Sequence, residues 1–96
     1  MADIEIYNVP ALAQPAAHYS HVARVRNAAE RLYVAGMVAT DAGGTTVGEG
    51  DFEAQAAQVF RNIELALQSA GASWSNVVQF TTYLTRAEDI PRWRAF

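Results

Sequence analysis

The stretch DFEAQAAQVFRNIELALQSAG, residues 51–71, carries the clearest structural signal in the chain. Its apolar side chains recur at spacings of three and four residues, which places them in one stripe along an α-helix. Asp51 can accept hydrogen bonds from first-turn amides, and Gly71 suits the position just past the last turn. The sequence therefore predicts an amphipathic helix between these two residues. Its apolar stripe consists of Phe52, Ala56, Val59, Phe60, Ile63, Ala66, Leu67 and Ala70.

Strand-like segments lie on both sides of this helix. YSHVARVR (19–26) and RLYVAGMVA (31–39) are separated by the short turn NAAE, so together they predict a hairpin. VVQFTTYLT (77–85) is rich in β-branched and aromatic residues and predicts a strand. It should run parallel to the strand before the helix, through a right-handed crossover. DIEIYNV (3–9) predicts a short edge strand.

These elements predict one α+β domain over residues 1–96, with a mixed β-sheet and helices packed on one face of it. RAEDIPRWRAF (86–96) is typical of the start of a second helix. The segment RLYVAGMV (31–38) is apolar on both strand faces, as in strands that are covered on both sides. The long helix supplies one cover. We therefore expect another subunit to supply the second.

Gly36 interrupts this apolar segment. Glycine weakens a strand because it packs no side chain and loses more backbone entropy than other residues. Two interpretations stay open from the residues alone. Either a ligand approaches the backbone in a cleft at this point, or glycine provides a bulge or bend in the sheet.

Composition excludes several classes of protein. The chain has 96 residues, a net charge of -3 and no Cys, which leaves no disulfide framework and no thiol nucleophile. All seven cations are scattered Arg residues, which argues against the basic patch of a nucleic-acid-binding protein. No apolar run approaches a membrane span, and the N-terminus lacks the pattern of a secretory signal. A cytoplasmic location is the default expectation.

Short motifs indicate neither a metal nor a cofactor. His18 and His21 are three residues apart, so in a strand their side chains point to opposite faces and cannot share an ion easily. VGEGD (47–51) lacks the GK[ST] ending of a phosphate-binding loop. The serines lie in no nucleophile-elbow motif. Spacing alone does not indicate an enzyme.

Several segments together resemble the RidA/YjgF family, also called the endoribonuclease L-PSP family. HYSHVARV, RLYVAGMV, EAQAAQVFRNIELALQSAGAS and NVVQFTTYLT have the order and spacing of that family over about residues 16–90. The resemblance implies a chorismate-mutase-like fold and a homotrimer with a cleft between neighbouring subunits. It also favours the cleft interpretation of Gly36, since the matching glycine of the family lies beside that cleft.

The resemblance further implies an activity, the hydrolysis of reactive 2-imino or enamine acids to 2-keto acids and ammonia. In such enzymes an arginine binds the substrate carboxylate and a carboxylate side chain holds the attacking water. By position, the substrate-binding residues are Tyr19, Ala35, Gly36 and Met37, with Arg94 matched more loosely to a pocket Asn. Ala35 and Met37 replace the usual Ser and Gln, which predicts a less polar cleft.

The catalytic residues are not assigned in this chain. The family's carboxylate-binding Arg and catalytic Glu lie beyond residue 96, so the chain is short at its C-terminal end relative to the family and deaminase activity is expected to be weak or absent. The alternative is a trimer that binds a small carboxylate ligand without turnover. RNA cleavage, which follows the family's older name, is less favoured because the sequence pI is about 5.2.

Overall fold

A computed structural model describes residues 3–16 and 18–96 of the chain. These residues form two compact units, one extending to Tyr33 and the other running from Val34 to Phe96. The first unit contains strands β1 (Asp3–Tyr7) and β2 (Val22–Arg26), and the second contains helices α1 (Phe52–Ser69) and α2 (Ile90–Ala95). The protein is therefore α+β, with a two-stranded antiparallel sheet and two helices. Each unit is described by itself below.

Strands β1 and β2 pair antiparallel, with Asp3 opposite Arg26 and Tyr7 opposite Val22. Glu5 lies 3.8 Å from Arg24 and 3.4 Å from Arg26 across the ladder. The Arg24 guanidinium also lies 5.6 Å from the centroid of the Tyr7 ring. These exposed contacts contribute little energy individually, but opposite charges placed across a ladder favour one register.

The open end of the ladder is closed by a reciprocal pair of hydrogen bonds. The His21 N–H donates to Asn8 Oδ1 at 3.1 Å, and the Val9 N–H donates to His21 Nδ1 at 2.9 Å. Because Nδ1 accepts, the hydrogen of the neutral ring lies on Nε2. His21 therefore has a structural contact that the sequence did not indicate.

The predicted hairpin between 19–26 and 31–39 is wrong. Both predicted strands of the first unit are present, with narrower bounds, but β2 pairs with β1. Alternation of polar and apolar residues predicts a strand without identifying its neighbour. Here the charges on β1 and β2 and the Asn8–His21 contacts select the pairing. Asn27, with φ of 59°, ends β2 in a left-handed conformation that Asn tolerates well.

Helix α1 confirms the helix predicted from the apolar stripe. The carboxylate of Asp51 accepts from the Ala54 N–H at 3.2 Å, as an N-cap should. At the other end Gly71 has φ of 72° and donates to the Gln68 carbonyl at 3.0 Å, while the Ala72 N–H reaches the Leu67 carbonyl at 2.9 Å. This pair of bonds is a Schellman motif, which uses the left-handed freedom of glycine to end a helix.

Residues 41–50 form a loop, here called the 41–50 loop, that leads into α1. Asp41 Oδ1 accepts from the backbone N–H groups of Gly43 at 2.9 Å and Thr45 at 3.0 Å. Thr40 and Thr46 form an isolated antiparallel bridge across the loop. Gly48 has φ of 72°, and its carbonyl accepts from Gln55 Nε2 at 2.9 Å. The loop is therefore fixed to the first turns of α1.

Aromatic side chains join the two helices. The Phe60 ring of α1 stacks on Trp93 of α2 with centroids 5.5 Å apart, and on Phe96 at 5.6 Å. Trp74, in a 3₁₀ turn over Trp74–Asn76, meets Phe60 edge-on at 5.5 Å. A second 3₁₀ turn, Ala87–Asp89, leads directly into α2, which confirms the second helix predicted at 86–96. None of the described helices is both long and apolar enough to cross a bilayer.

The predicted strands at 31–39 and 77–85 are not formed. Within the described parts of the chain, the β1–β2 pair is the only sheet, so the mixed sheet with helices on one face is not observed. A strand needs a hydrogen-bonding neighbour about 4.8 Å away, and an apolar sequence pattern does not supply one. Val78 and Phe80, two apolar residues of the predicted strand 77–85, are exposed.

Candidate functional site

Ala35, Gly36 and Met37 lie together in the segment 31–38, which enters the second unit at Val34. Ala35 and Gly36 are exposed, and Met37 is half-buried. Tyr33, beside them, is 90% exposed. The three candidate residues carry no ionisable group. They offer peptide groups and a small apolar surface, so any side chain that binds a carboxylate or transfers a proton must come from another part of the protein.

Gly36 lies in open space. A Cβ atom built at this position would meet nothing within 4 Å, and its φ is outside the left-handed region, unlike that of Gly44, Gly48, Gly50 and Gly71. A bulge at Gly36 that requires positive φ is therefore excluded. The described residues of this chain do not themselves require glycine at position 36.

The chain directly after the candidate residues is held by a tight turn. The Thr40 N–H donates to the Val38 carbonyl at 2.8 Å, and the Val47 N–H donates to the Ala39 carbonyl at 2.8 Å. Ala39, at the centre of the turn, is buried. The position at which the candidate segment meets the rest of the unit is therefore well defined.

Sequence reasoning missed two residues of α1 that contact this turn. Asn62 Nδ2 donates to the Val38 carbonyl at 3.0 Å and to the Thr40 carbonyl at 2.9 Å. Gln58 Nε2 donates to Asn62 Oδ1 at 2.9 Å and to the Thr40 carbonyl at 3.3 Å. The apolar stripe, Asp51 and Gly71 predict the helix but indicate nothing about the polar side chains beside the stripe. Two amide side chains four residues apart, which lie one above the other on the helix, are the signal that could have identified them.

Tyr19 belongs to the first unit and is 57% exposed. It lies two residues before His21, whose backbone is bonded to Asn8. His21 is half-buried and His18 exposed. Among the described residues, no group of three or more His, Asp or Glu side chains could hold a metal ion.

Arg94 lies in the last turn of α2 and is exposed. Its neighbour Arg92 lies 3.6 Å from the buried Asp89, whereas no ion pair of the described residues includes Arg94. Gln79, Thr81 and Tyr83, in the segment after α1, are also exposed. The structure thus groups Ala35, Gly36 and Met37 in one segment and places Arg94 on a separate helix of the same unit.

Comparison with known proteins identifies the class. The family model described as Endoribonuclease L-PSP matches residues 10–95, which is most of the chain. The chain belongs to this family, and the resemblance to RidA/YjgF proteins stated from the sequence is confirmed.

Several individual proteins are similar to the chain in sequence. A RutC family protein of Synechocystis sp. is 44% identical over 59 residues, covering 60% of this chain and 45% of the relative. A RutC family protein of Pyrococcus abyssi is 33% identical over 79 residues, covering 82% of this chain and 60% of the relative. A protein of Dermatophagoides farinae named 2-iminobutanoate/2-iminopropanoate deaminase is 25% identical over 91 residues, 95% of this chain and 69% of its own length.

The chain spans about half of the Synechocystis relative and about 60% of the Pyrococcus abyssi relative. No solved structure matches the chain.

Proposed function

We propose that this protein is a RidA-type deaminase or a close functional relative of one. The observation that carries the proposal is the family match over residues 10–95, supported by the relative named as an iminobutanoate/iminopropanoate deaminase. The reaction is the hydrolysis of a C=N bond. Water adds to the imine carbon, the C–N bond then breaks, and the products are a 2-keto acid and ammonia.

In this proposal Gly36 leaves room for the substrate beside the backbone. The empty space around its Cβ position supports that role, because the protein's own described atoms do not fill it. Ala35 and Met37 flank Gly36 in the chain, and their apolar side chains favour a substrate that also carries an apolar side chain. The Tyr19 hydroxyl and the Arg94 guanidinium are the proposed polar contacts, and guanidinium suits a carboxylate because it donates two parallel hydrogen bonds.

We propose a homotrimer as the working assembly. The exposed apolar side chains of 31–38 and 77–85 support it, since Tyr33 is 90% exposed and Tyr83 is 89% exposed. Large apolar side chains that are exposed in one subunit can be covered by another in an oligomer. Light scattering at micromolar concentration tests the assembly. A mass three times that of the chain is expected, and a monomeric mass would contradict it.

A coupled assay tests the activity. An amino-acid oxidase generates the imine in the presence of semicarbazide, which traps it, and the protein competes with the trap by hydrolysis. A deaminase lowers the amount of semicarbazone formed, in proportion to protein added. The polypeptide of residues 1–96 alone is expected to be weak in this assay, because the family's Arg and Glu have no counterpart within these residues.

The second candidate is a member that binds small carboxylates without turnover. The absence of ionisable side chains among Ala35, Gly36 and Met37 favours it. One experiment distinguishes the two candidate functions. If 2-oxobutanoate raises the melting temperature while semicarbazone formation is unchanged by protein, the binding function is supported over the deaminase.

A further inference from the structure

The side-chain amide of Asn62 reaches from α1 to the backbone beside the candidate site. Its Nδ2 group donates to two carbonyls that are two residues apart, those of Val38 at 3.0 Å and Thr40 at 2.9 Å. Both hydrogens of one amide group are thus used by the backbone. Val38 directly follows Met37, the last of the three candidate residues.

Gln58 fixes the orientation of this amide. It lies one helical turn before Asn62, and its Nε2 group donates to Asn62 Oδ1 at 2.9 Å. The same Nε2 group also reaches the Thr40 carbonyl at 3.3 Å. The acceptor end of Asn62 is therefore occupied, and its donor end is directed at the turn. A network whose donors and acceptors are all matched holds one geometry.

The turn is held from two directions. On one side the Asn62 amide binds the carbonyls of Val38 and Thr40, and on the other the Val47 N–H binds the Ala39 carbonyl at 2.8 Å. The Val38 carbonyl accepts a second hydrogen bond from the Thr40 N–H at 2.8 Å. If the Asn62 donors are lost, the Val38 carbonyl keeps no contact to α1, and the Thr40 carbonyl keeps only the longer bond from Gln58 at 3.3 Å.

We propose that Asn62 is a positioning residue, which sets the direction in which the backbone of Ala35, Gly36 and Met37 enters the turn at Val38 and Thr40. Gln58 shares the Thr40 carbonyl with Asn62, whereas the Gln68 and Gln55 side chains of the helix contact other partners. The Gln68 amide donates to the Glu64 carboxylate at 3.2 Å, and the Gln55 amide bonds the 41–50 loop. The effect on the backbone stands by itself, whereas its effect on ligand binding rests on the proposed function.

The test uses Asn62→Asp, which keeps the shape of the side chain but replaces the donor group by an acceptor. Two controls lie on the same helix. Leu67→Ala removes a side chain that is 5% exposed and lowers stability without changing the turn. Gln68→Glu makes the same amide-to-carboxylate change at an exposed position. The amides of Gly36, Met37 and Thr40 are followed by NMR, and hydrogen exchange is measured at Thr40 and Val47.

In Asn62→Asp we expect shifted Gly36 and Met37 amide resonances, and exchange at Thr40 and Val47 that is faster by about tenfold or more relative to the amides of α1. In Leu67→Ala exchange should increase across the helix as well, and in Gln68→Glu the turn should be unaffected. Unchanged resonances at 36 and 37 in Asn62→Asp, or the same local pattern in Leu67→Ala, would overturn the proposal.

Thermal shift with 2-oxobutanoate measures the consequence for the site. The stabilisation by this keto acid should be lost in Asn62→Asp and retained in Leu67→Ala, even though both variants melt at lower temperature than the parent protein. Asn62→Gln, which keeps the amide donor, should retain part of the stabilisation by 2-oxobutanoate. If the parent protein itself shows no stabilisation, the proposed function fails, and the NMR comparison still decides whether Asn62 positions the backbone.

Discussion

Gly36 and Gly48 are the same residue type in two neighbouring regions, and the structure requires glycine at only one of them. Gly48 has φ of 72°, and a Cβ atom there would lie 2.7 Å from the Ala54 Cβ and 2.9 Å from the Gln55 nitrogen. Gly36 has neither a left-handed φ nor a neighbour within 4 Å of the same position. The glycine of the 41–50 loop is explained by the chain's own folding. The glycine of the 31–38 segment is free to serve an interaction with another molecule.

The largest effect on stability is expected at Gly48. Gly48→Ala combines a left-handed backbone with a contact against the helix backbone that cannot move away, and should lower the free energy of unfolding by roughly 2–4 kcal/mol. Gly50→Ala is the matched control, because Gly50 has φ of 77° but open space around it. Gly50→Ala should lower the free energy of unfolding by only about 1 kcal/mol. Urea unfolding of both variants measures the difference, and equal losses would show that the close contact costs nothing.

A smaller effect is expected at Asp41, which orders the same loop. Asp41→Ala removes the acceptor of the Gly43 and Thr45 N–H groups and should lower the free energy of unfolding by about 1 kcal/mol. Asp41→Asn keeps an oxygen in the same place, so its free energy of unfolding should fall by less than that of the Ala variant. If the Asn variant is as unstable as the Ala variant, the carboxylate charge matters to the loop more than the two hydrogen bonds.

The smallest effect on stability is expected at Gly36. Gly36→Ala should leave the melting temperature unchanged or raise it slightly, because alanine fits and restricts the unfolded chain. Gly36→Val should also fold, since valine suits extended backbone. Stabilisation by 2-oxobutanoate should be reduced by alanine and abolished by valine. A large fall in the melting temperature of Gly36→Ala would contradict the comparison with Gly48, and full ligand stabilisation of Gly36→Val would place the ligand elsewhere.

What the sequence predicts well in this protein is local. The bounds of α1 follow from Asp51, the apolar stripe and Gly71, because capping and helical periodicity depend on residues close together in the chain. The partner of β2 depends instead on contacts between distant residues, such as Glu5 with Arg24. Alternation of residue types contains no information about that partner.

The candidate site shows the same difference between features set by neighbouring residues and features set by distant ones. Ala35, Gly36 and Met37 are predicted as site residues from the family resemblance, and because they are consecutive their proximity follows from the sequence itself. Asn62 and its two carbonyl partners were missed because 22 residues separate it from Thr40. A hydrogen bond from a side chain to a carbonyl also leaves no trace in the identity of the residue that supplies the carbonyl.

The aromatic cluster at Phe60 gives the protein a built-in optical reporter. The chain has two tryptophans, and both ring systems lie 5.5 Å from the Phe60 ring, in the second unit. The aromatic residues of the first unit are all tyrosines. Excitation at the red edge of the absorption band selects tryptophan. The resulting fluorescence therefore follows the association of α1 with α2 and does not report on the β1–β2 ladder. A melting curve recorded this way and one recorded from tyrosine will coincide only if the two units unfold together.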